Sequence, residues 1–280
     1  MQGAYKAVRK DGSEYFRSSV TYRGKHISLG SYATESEASQ AYLEAGKALN
    51  SDQDIDSYSP DFTLEFEKYV ILINFRDNEV YIKNPIYLMK RYFLYYCDPE
   101  TVFKFDIDDL FFYSSHHISR RGGHFFVADY GMQLSLNARY GIRRHAVRDR
   151  DYRFINGDPF DYRYENIEII NRYFGVERFT KNGREQFRAK ILVNGTIIIG
   201  TYPTEAEAAI AYNKAADLIT RRLPEKSYEV NYIDSVSPRQ YAELYTGIQL
   251  SPAILKYEKY FGDGQNPSQS GVKKPPLIDE

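Results

Sequence analysis

The stretch Gly30-Ser-Tyr-Ala-Thr-Glu-Ser-Glu-Ala-Ser-Gln-Ala-Tyr42 is written a second time, with few changes, as Gly200-Thr-Tyr-Pro-Thr-Glu-Ala-Glu-Ala-Ala-Ile-Ala-Tyr212. The correspondence continues upstream. Phe16-Arg17 pairs with Phe187-Arg188, Gly24 with Gly195, Gly12 with Gly183 and Lys10 with Lys181, once one residue is dropped between Gly24 and Gly30. An internal duplication sets the architecture before any single residue is weighed. Two copies of one small module, held apart by a spacer, suit a protein that grips an extended, repetitive partner at two places.

Each copy reads as three short strands and a helix. In the first, Tyr5 to Val8, Glu14 to Tyr22 and Lys25 to Gly30 are separated by the turn signals Asp11-Gly12 and Arg23-Gly24. Thr34 then stands three residues before Glu37, the spacing of a capping box. Ala38, Ala41, Tyr42, Ala45 and Leu49 follow at helical spacing. The second copy repeats this with Gly175 to Phe179, Glu185 to Val193 and Thr196 to Gly200. Its box is Thr204 with Glu207, and its stripe is Ala208, Ala211, Tyr212, Ala215, Ala216 and Ile219. Small alanines let the helix lie close on one sheet face and leave the other face open.

The bases of the two modules sit in their strands and turns: Lys6, Arg9, Lys10, Arg17, Arg23 and Lys25 in the first, Arg178, Lys181, Arg184, Arg188 and Lys190 in the second. The opposing acids there are Asp11, Glu14, Glu177 and Glu185. A small sheet with a basic face can enter a DNA major groove, where Arg reads guanine edges and Lys holds phosphates. The plain alternative is a solvated, mixed-charge surface. Net charge is -1, so any nucleic-acid binding must come from local patches. A single cysteine, Cys97, excludes an intramolecular disulfide and a Cys-rich zinc site. No apolar run long enough to span a membrane and no signal peptide are read, so the expectation is a soluble protein of a reducing cytoplasm.

The arrangement of three strands, Phe-Arg, a Gly turn, Gly-x-Tyr-x-Thr-x-x-Glu-Ala and Ala-Tyr resembles the DNA-binding domain of plant ethylene-response factors, the APETALA family. That domain also occurs in phage and bacterial homing endonucleases. The resemblance implies a sheet in the major groove, with base contacts from Arg9, Arg17, Arg178 and Arg188. The chain has no Trp, which family members use on the sheet.

Residues 151–171 carry a second resemblance. Ile155-Asn156-Gly157-Asp158, Asp161, Arg163 and Asn166 fall at the spacing of the HNH homing-endonuclease core, and the segments Phe105 to Leu110 and Gly123 to Val127 look like its lead-in strands. In that family an Asp and a terminal Asn hold one divalent metal, and a His beside the Asp activates water. Here the Asp position is Arg153, the His position is Phe154, an earlier His position falls at Ser135, and only Asn166 of the metal set remains. An Arg repels a dication and a Phe cannot accept a proton. The resemblance thus implies a nuclease fold with no catalytic residues, no metal and no cofactor.

His116, His117, His124 and His145 lie in this region. A shifted base at His145 is conceivable, but no carboxylate stands at the right register, and a lone His in a basic segment reads as a phosphate contact or a solvated residue. Asp106, Asp108 and Asp109 read as turn caps rather than a metal cluster. Positive charge is concentrated instead at Arg139, Arg143, Arg144, Arg148, Arg150 and Arg153, with Arg120 and Arg121 nearby. Such a segment suits a clamp on the phosphate backbone.

These readings give an α+β chain of two three-stranded-sheet-plus-helix modules flanking a degenerate ββα domain. The expected boundaries are a module at 1–50, an acidic linker at 51–64, an HNH-like domain at 65–171, a module at 172–235, a helical extension at 236–261 and a disordered tail at 262–280. The expected function is a sequence-specific repressor of double-stranded DNA, domesticated from a mobile-element endonuclease. The competing readings are an active HNH nickase with a displaced catalytic group, and a protein-interaction module using the Tyr-rich surface. No protein partner is named by the sequence. A homodimer is allowed but not required, since one chain already holds two modules.

Overall fold

The computed structural model describes residues 2–129 and 132–255. The chain is α+β, built from several small three-stranded antiparallel sheets with helices, and it divides into two compact units. Among the described residues, the first holds those of 2–144 and 154–168, and the second those of 145–153 and 169–255. The expected disordered tail lies outside the described residues, as does the end of the expected helix at 253–260.

The first unit begins with β1 (Ala4–Val8), β2 (Glu14–Tyr22), β3 (Lys25–Tyr32) and α1 (Glu35–Asn50). The strands pair in sequence order, Tyr5 opposite Arg17 and Arg17 opposite Ser31. The capping box at Thr34 and Glu37 is closed in both directions. Ala41, Ala45 and Ala48 press α1 onto Ile27 and Leu29 with almost no exposed surface, and Ala38 is buried as well.

Residues 51–64 are not a linker. Ile55 and Leu64 are buried, Tyr58 and Phe62 pack beside them, and the Leu64 N–H donates to Glu44 Oε2 at 2.8 Å. The acidic residues of this segment mask its spaced apolar ones. It leads into α2 (Phe66–Asn78), whose residues from Tyr69 to Phe75 are all buried. Tyr69, Val70, Leu72, Ile73 and Phe75 belong to the same core as Ile27, Leu29 and α1. Arg76 Nη1 donates to the carbonyls of Ala48 and Ser51 at 2.8 and 2.7 Å, which caps the C-terminus of α1 from outside.

Then come β4 (Ile86–Leu88), β5 (Tyr92–Tyr96) and β6 (Val102–Asp106) in one antiparallel sheet, and α3 (Leu110–Tyr113). A second antiparallel sheet holds β7 (Ile118–Arg121), β8 (His124–Asp129) and β9 (Met132–Ser135), followed by α4 (Leu136–Arg139). Rings fill this part of the core. Phe105 stacks on Tyr113 at 4.1 Å, and Tyr140 meets Tyr162 edge-on at 5.0 Å. Each such ring buries a large apolar area without needing a long strand. The chain passes between units within the short strands β10 (Tyr152–Phe154) and β11 (Ile167–Ile169).

The second unit repeats the opening of the first. It holds β12 (Val176–Lys181), β13 (Arg184–Leu192), β14 (Thr196–Tyr202) and α5 (Glu205–Arg222), paired in sequence order. Thr204 accepts from the Glu207 N–H at 3.2 Å, but Glu207 Oε2 is buried without a hydrogen-bond partner. This cap is therefore one-sided where Thr34 and Glu37 are reciprocal. The α6 helix (Pro238–Gly247) starts at the capping box of Ser237 and Gln240. Ser251 closes the edge of β14, its N–H donating to the Ile199 carbonyl at 3.1 Å and its Oγ to the Ile198 carbonyl at 2.8 Å. Asn213 and Asn231 exchange side-chain and backbone bonds at 2.8 and 2.9 Å, and Asn231 holds both backbone groups of Phe174.

The two copies agree down to an irregularity. A β-bulge lies between Ser18 and Ser19, and its counterpart lies between Ala189 and Lys190. In each, the extra residue on the third strand (Leu29 or Ile199) is buried. The register also corrects the alignment of the first strands. Lys6 stands opposite Phe16 and Arg178 opposite Phe187, so Gly3 matches Gly175 and Arg9, not Lys10, matches Lys181. Gly3 and Gly175 have φ of +72° and +66°, and each lies against the ring of the helix tyrosine, Tyr42 or Tyr212.

Candidate nucleic-acid interface

Residues directly opposite on antiparallel strands share a face, and the face alternates along each strand. The helix side of the first sheet is fixed by Ile27 and Leu29, so the open side carries Tyr5, Arg17 and Ser31 in one row and Ala7 with Tyr15 in the next. Arg17 donates to the Tyr15 hydroxyl through Nε at 3.0 Å and Nη2 at 2.6 Å. The guanidinium carbons of Arg17 and Arg9 lie 5.4 and 5.3 Å from the centroid of the same Tyr15 ring. This ring holds two cations in cation–π contact on the open face. Lys10 is exposed in the turn that follows β1.

In the second module the matching row is Glu177, Arg188 and Thr201, with Phe179 and Gln186 beside it. Arg188 lies 4.6 Å over the Phe179 ring. The ring thus comes from the first strand here and from the second strand in the other copy, yet the central Arg is flanked by an aromatic in both. Lys181 and Arg184 face each other across the turn at Asn182 and Gly183. Glu177 Oε2 lies 3.1 Å from Lys190 Nζ and 3.8 Å from Arg188 Nη1.

Three of the expected DNA-binding residues lie elsewhere in their modules. Arg23 pairs with Glu79 at 2.5 Å, and Lys25 sits 5.0 Å over the Tyr81 ring. Lys25 is opposite Tyr22, which packs on Phe75 of α2, so these two cations belong to the helix side. Arg178 is opposite the buried Phe187, and its Nε is 3.3 Å from Glu185. Its counterpart Lys6 makes the same rim pair with Glu14 at 2.7 Å. The open faces therefore carry fewer cations than the sequence count implies. Tyr5, Tyr15, Phe179 and Glu177 share these open faces with Arg17 and Arg188, and two-residue alternation was the signal for them.

The segment that resembles the HNH core is an interlocked turn. Asp161 has no exposed surface and receives Arg163 through Nε at 2.8 Å and Nη2 at 2.6 Å, with Asn156 Nδ2 at 2.9 Å. Burial pushes its carboxyl up, and the Arg163 bonds outweigh that and leave it below its ordinary value. Asn166 donates to the Asp161 carbonyl at 2.8 Å and accepts from the Asn156 N–H at 2.8 Å. Its amide is thus engaged at both ends. Phe154 is buried and meets the Tyr162 ring at 5.4 Å. Ser135 is exposed just before α4.

The expected cation clamp is divided. Arg139 is turned inward, its Nη2 on Asp109 at 2.5 Å and its guanidinium 4.0 Å over Phe112. Asp109 also accepts from Tyr140 at 2.9 Å and Tyr164 at 3.3 Å, which makes it a buried structural acceptor. Burial, with Tyr113 and Asp109 close by, pushes the Tyr140 hydroxyl far above its ordinary range. Asp106 accepts from the Tyr164 N–H at 2.7 Å. Arg143 and Arg144 fall in the first unit, while Arg148, Arg150 and Arg153 fall in the second. Arg150 pairs with the buried Asp151 at 2.7 Å, and Arg148 lies 3.7 Å from Asp149. His145 is exposed at a φ of +62°. His117 bonds Glu67 at 3.2 Å.

Among the described residues no three His, Cys, Asp or Glu side chains converge as a metal site would require, and no helix is long and apolar enough to cross a membrane. No family model matches the chain, and no curated protein or solved structure matches it either.

Proposed function

We propose that the chain is a sequence-specific double-stranded-DNA-binding protein that uses its two open sheet faces as reading surfaces. It does not cut DNA, and it acts as a transcriptional repressor descended from an HNH homing endonuclease of a phage or other mobile element. The observation that carries this reading is the equivalence of Arg17 and Arg188. Each stands in the middle strand, opposite the helix, beside an aromatic ring. An Arg held this way is aimed out of the open face, and on binding it exchanges its contact with Tyr15 or Glu177 for guanine O6 and N7. The burial of Phe154 and the internal bonds of Asn166 support a binder over a nickase, because neither side chain is presented to a scissile phosphate.

The test is a footprint on genomic fragments with magnesium present, run beside lanes to which no cleaving reagent is added. A protected tract with intact strands supports the reading. Strand breaks in the untreated lanes support the nickase and overturn it. Arg17→Ala and Arg188→Ala should each lower affinity for the protected tract by about 1–3 kcal/mol. Unchanged affinity in both variants would remove the reading faces from the argument.

A further inference from the structure

The two open faces differ in one respect that composition hides. On the second, Glu177 sits directly opposite Arg188 and takes both Arg188 and Lys190 on one carboxylate oxygen. On the first, the matching position is Tyr5, and the position matching Lys190 is Ser19, so the Arg17 row contains no carboxylate. Beyond the bulge, Ser28 of the first face is matched by Ile198 of the second, which is half exposed.

A carboxylate beside a phosphate polyanion weakens binding unless it meets a donor. Cytosine N4 supplies such a donor in the major groove, and Glu accepts from it. An apolar or aromatic side chain at the same place favours a thymine methyl instead. We infer, on the basis of the duplex-binding reading above, that the two modules recognise unlike base blocks and that Glu177 sets the specificity of the second. Arg188 takes a guanine and Glu177 an adjoining cytosine amino group. The first module pairs the Arg17 guanine contact with packing of Tyr5 on a thymine.

Selection of the full chain from a randomised duplex library, followed by affinity and salt titrations on the enriched duplex, tests this. The wild type should enrich two unlike blocks. Glu177→Gln should exchange the cytosine for adenine in the block that Arg188→Ala abolishes, since Gln matches adenine N6 and N7. It should lower affinity for the wild-type sequence roughly tenfold and leave the other block intact. The same substitution should strengthen binding to unrelated duplex, because it removes a negative charge from the interface. That pairing of lost discrimination with gained background affinity separates specificity from a plain ion pair. Two identical blocks in the wild-type selection, or a Glu177→Gln effect equal on all sequences, would overturn the inference while leaving duplex binding standing. Enrichment of no sequence at all by the wild type would overturn duplex reading itself.

Discussion

Gly175 and Gly183 have nearly the same backbone conformation, φ +66° and +72°, in very different surroundings. A Cβ at Gly183 meets nothing within 4 Å. One at Gly175 would lie 2.2 Å from a ring carbon of Tyr212 and 2.3 Å from the Lys190 carbonyl oxygen. Gly183→Ala therefore isolates the cost of an L side chain in left-handed backbone, about 1–2 kcal/mol. Gly175→Ala adds a clash that a rotamer change cannot relieve, because one partner is backbone. That backbone is also bonded in place, since the Lys190 N–H donates to the Gly175 carbonyl at 2.7 Å. Either β12 leaves β13 or Tyr212 leaves its buried site, and overpacking of this kind costs a further ~1–3 kcal/mol. The expected total is about 2–5 kcal/mol, a large part of a domain's stability. With a urea dependence of ~2 kcal/mol per M, the midpoint should fall by about 1–2.5 M for Gly175→Ala and by about 0.5–1 M for Gly183→Ala. Far-ultraviolet circular dichroism and tyrosine fluorescence follow the transition in a chain without Trp. Equal shifts in the two variants would refute the argument from packing and leave only backbone conformation.

Glu44→Ala removes the acceptor of the Leu64 N–H and should destabilise the first unit by ~1–3 kcal/mol, with earlier proteolytic nicking between 51 and 64 as the readout. Burial pushes the Cys97 thiol up from 9.0 to about 12, so its alkylation at pH 8 should run about a thousandfold slower in the folded protein than in urea. Comparable rates in both would show the thiol to be open. The bond between His117 and Glu67 raises the His above its ordinary 6.5 and lowers the Glu below its ordinary 4.5. The His contribution is complete below 6.5 and lost as pH rises through the raised value, and the Glu contribution is complete above 4.5 and lost as pH falls through the lowered value. The gap between wild type and His117→Gln should peak between those limits at about 0.2–1 kcal/mol, because both groups are half exposed. A gap that does not change with pH would exclude the pair.

The paired modules were legible because their signals are local: a turn, a cap and an alanine stripe each sit within a few residues. The helix α2 was not legible. Val70-Ile71-Leu72-Ile73 is buried on all sides, so it lacks the polar face that marks a helix and reads equally well as a strand. Arg23, Lys25 and Arg178 were misplaced for a related reason. Which face a strand residue takes depends on register through turns and bulges, and charge counted along the sequence ignores that alternation. The inward turn of Arg139 depends on Asp109, a partner distant in sequence that only tertiary structure brings near.

The clasp of Arg76 on the end of α1 changes what the first copy is. The second copy completes its core with its own downstream residues, Leu250 and Ile254. The first has given that completion to α2, through Arg76 and through Tyr69, Val70, Leu72, Ile73 and Phe75. Ancestral twins have thus become non-interchangeable parts. A fragment cut at residue 50 would strip the first copy of half its interior, so exchanging one copy for the other requires moving the neighbours along with them.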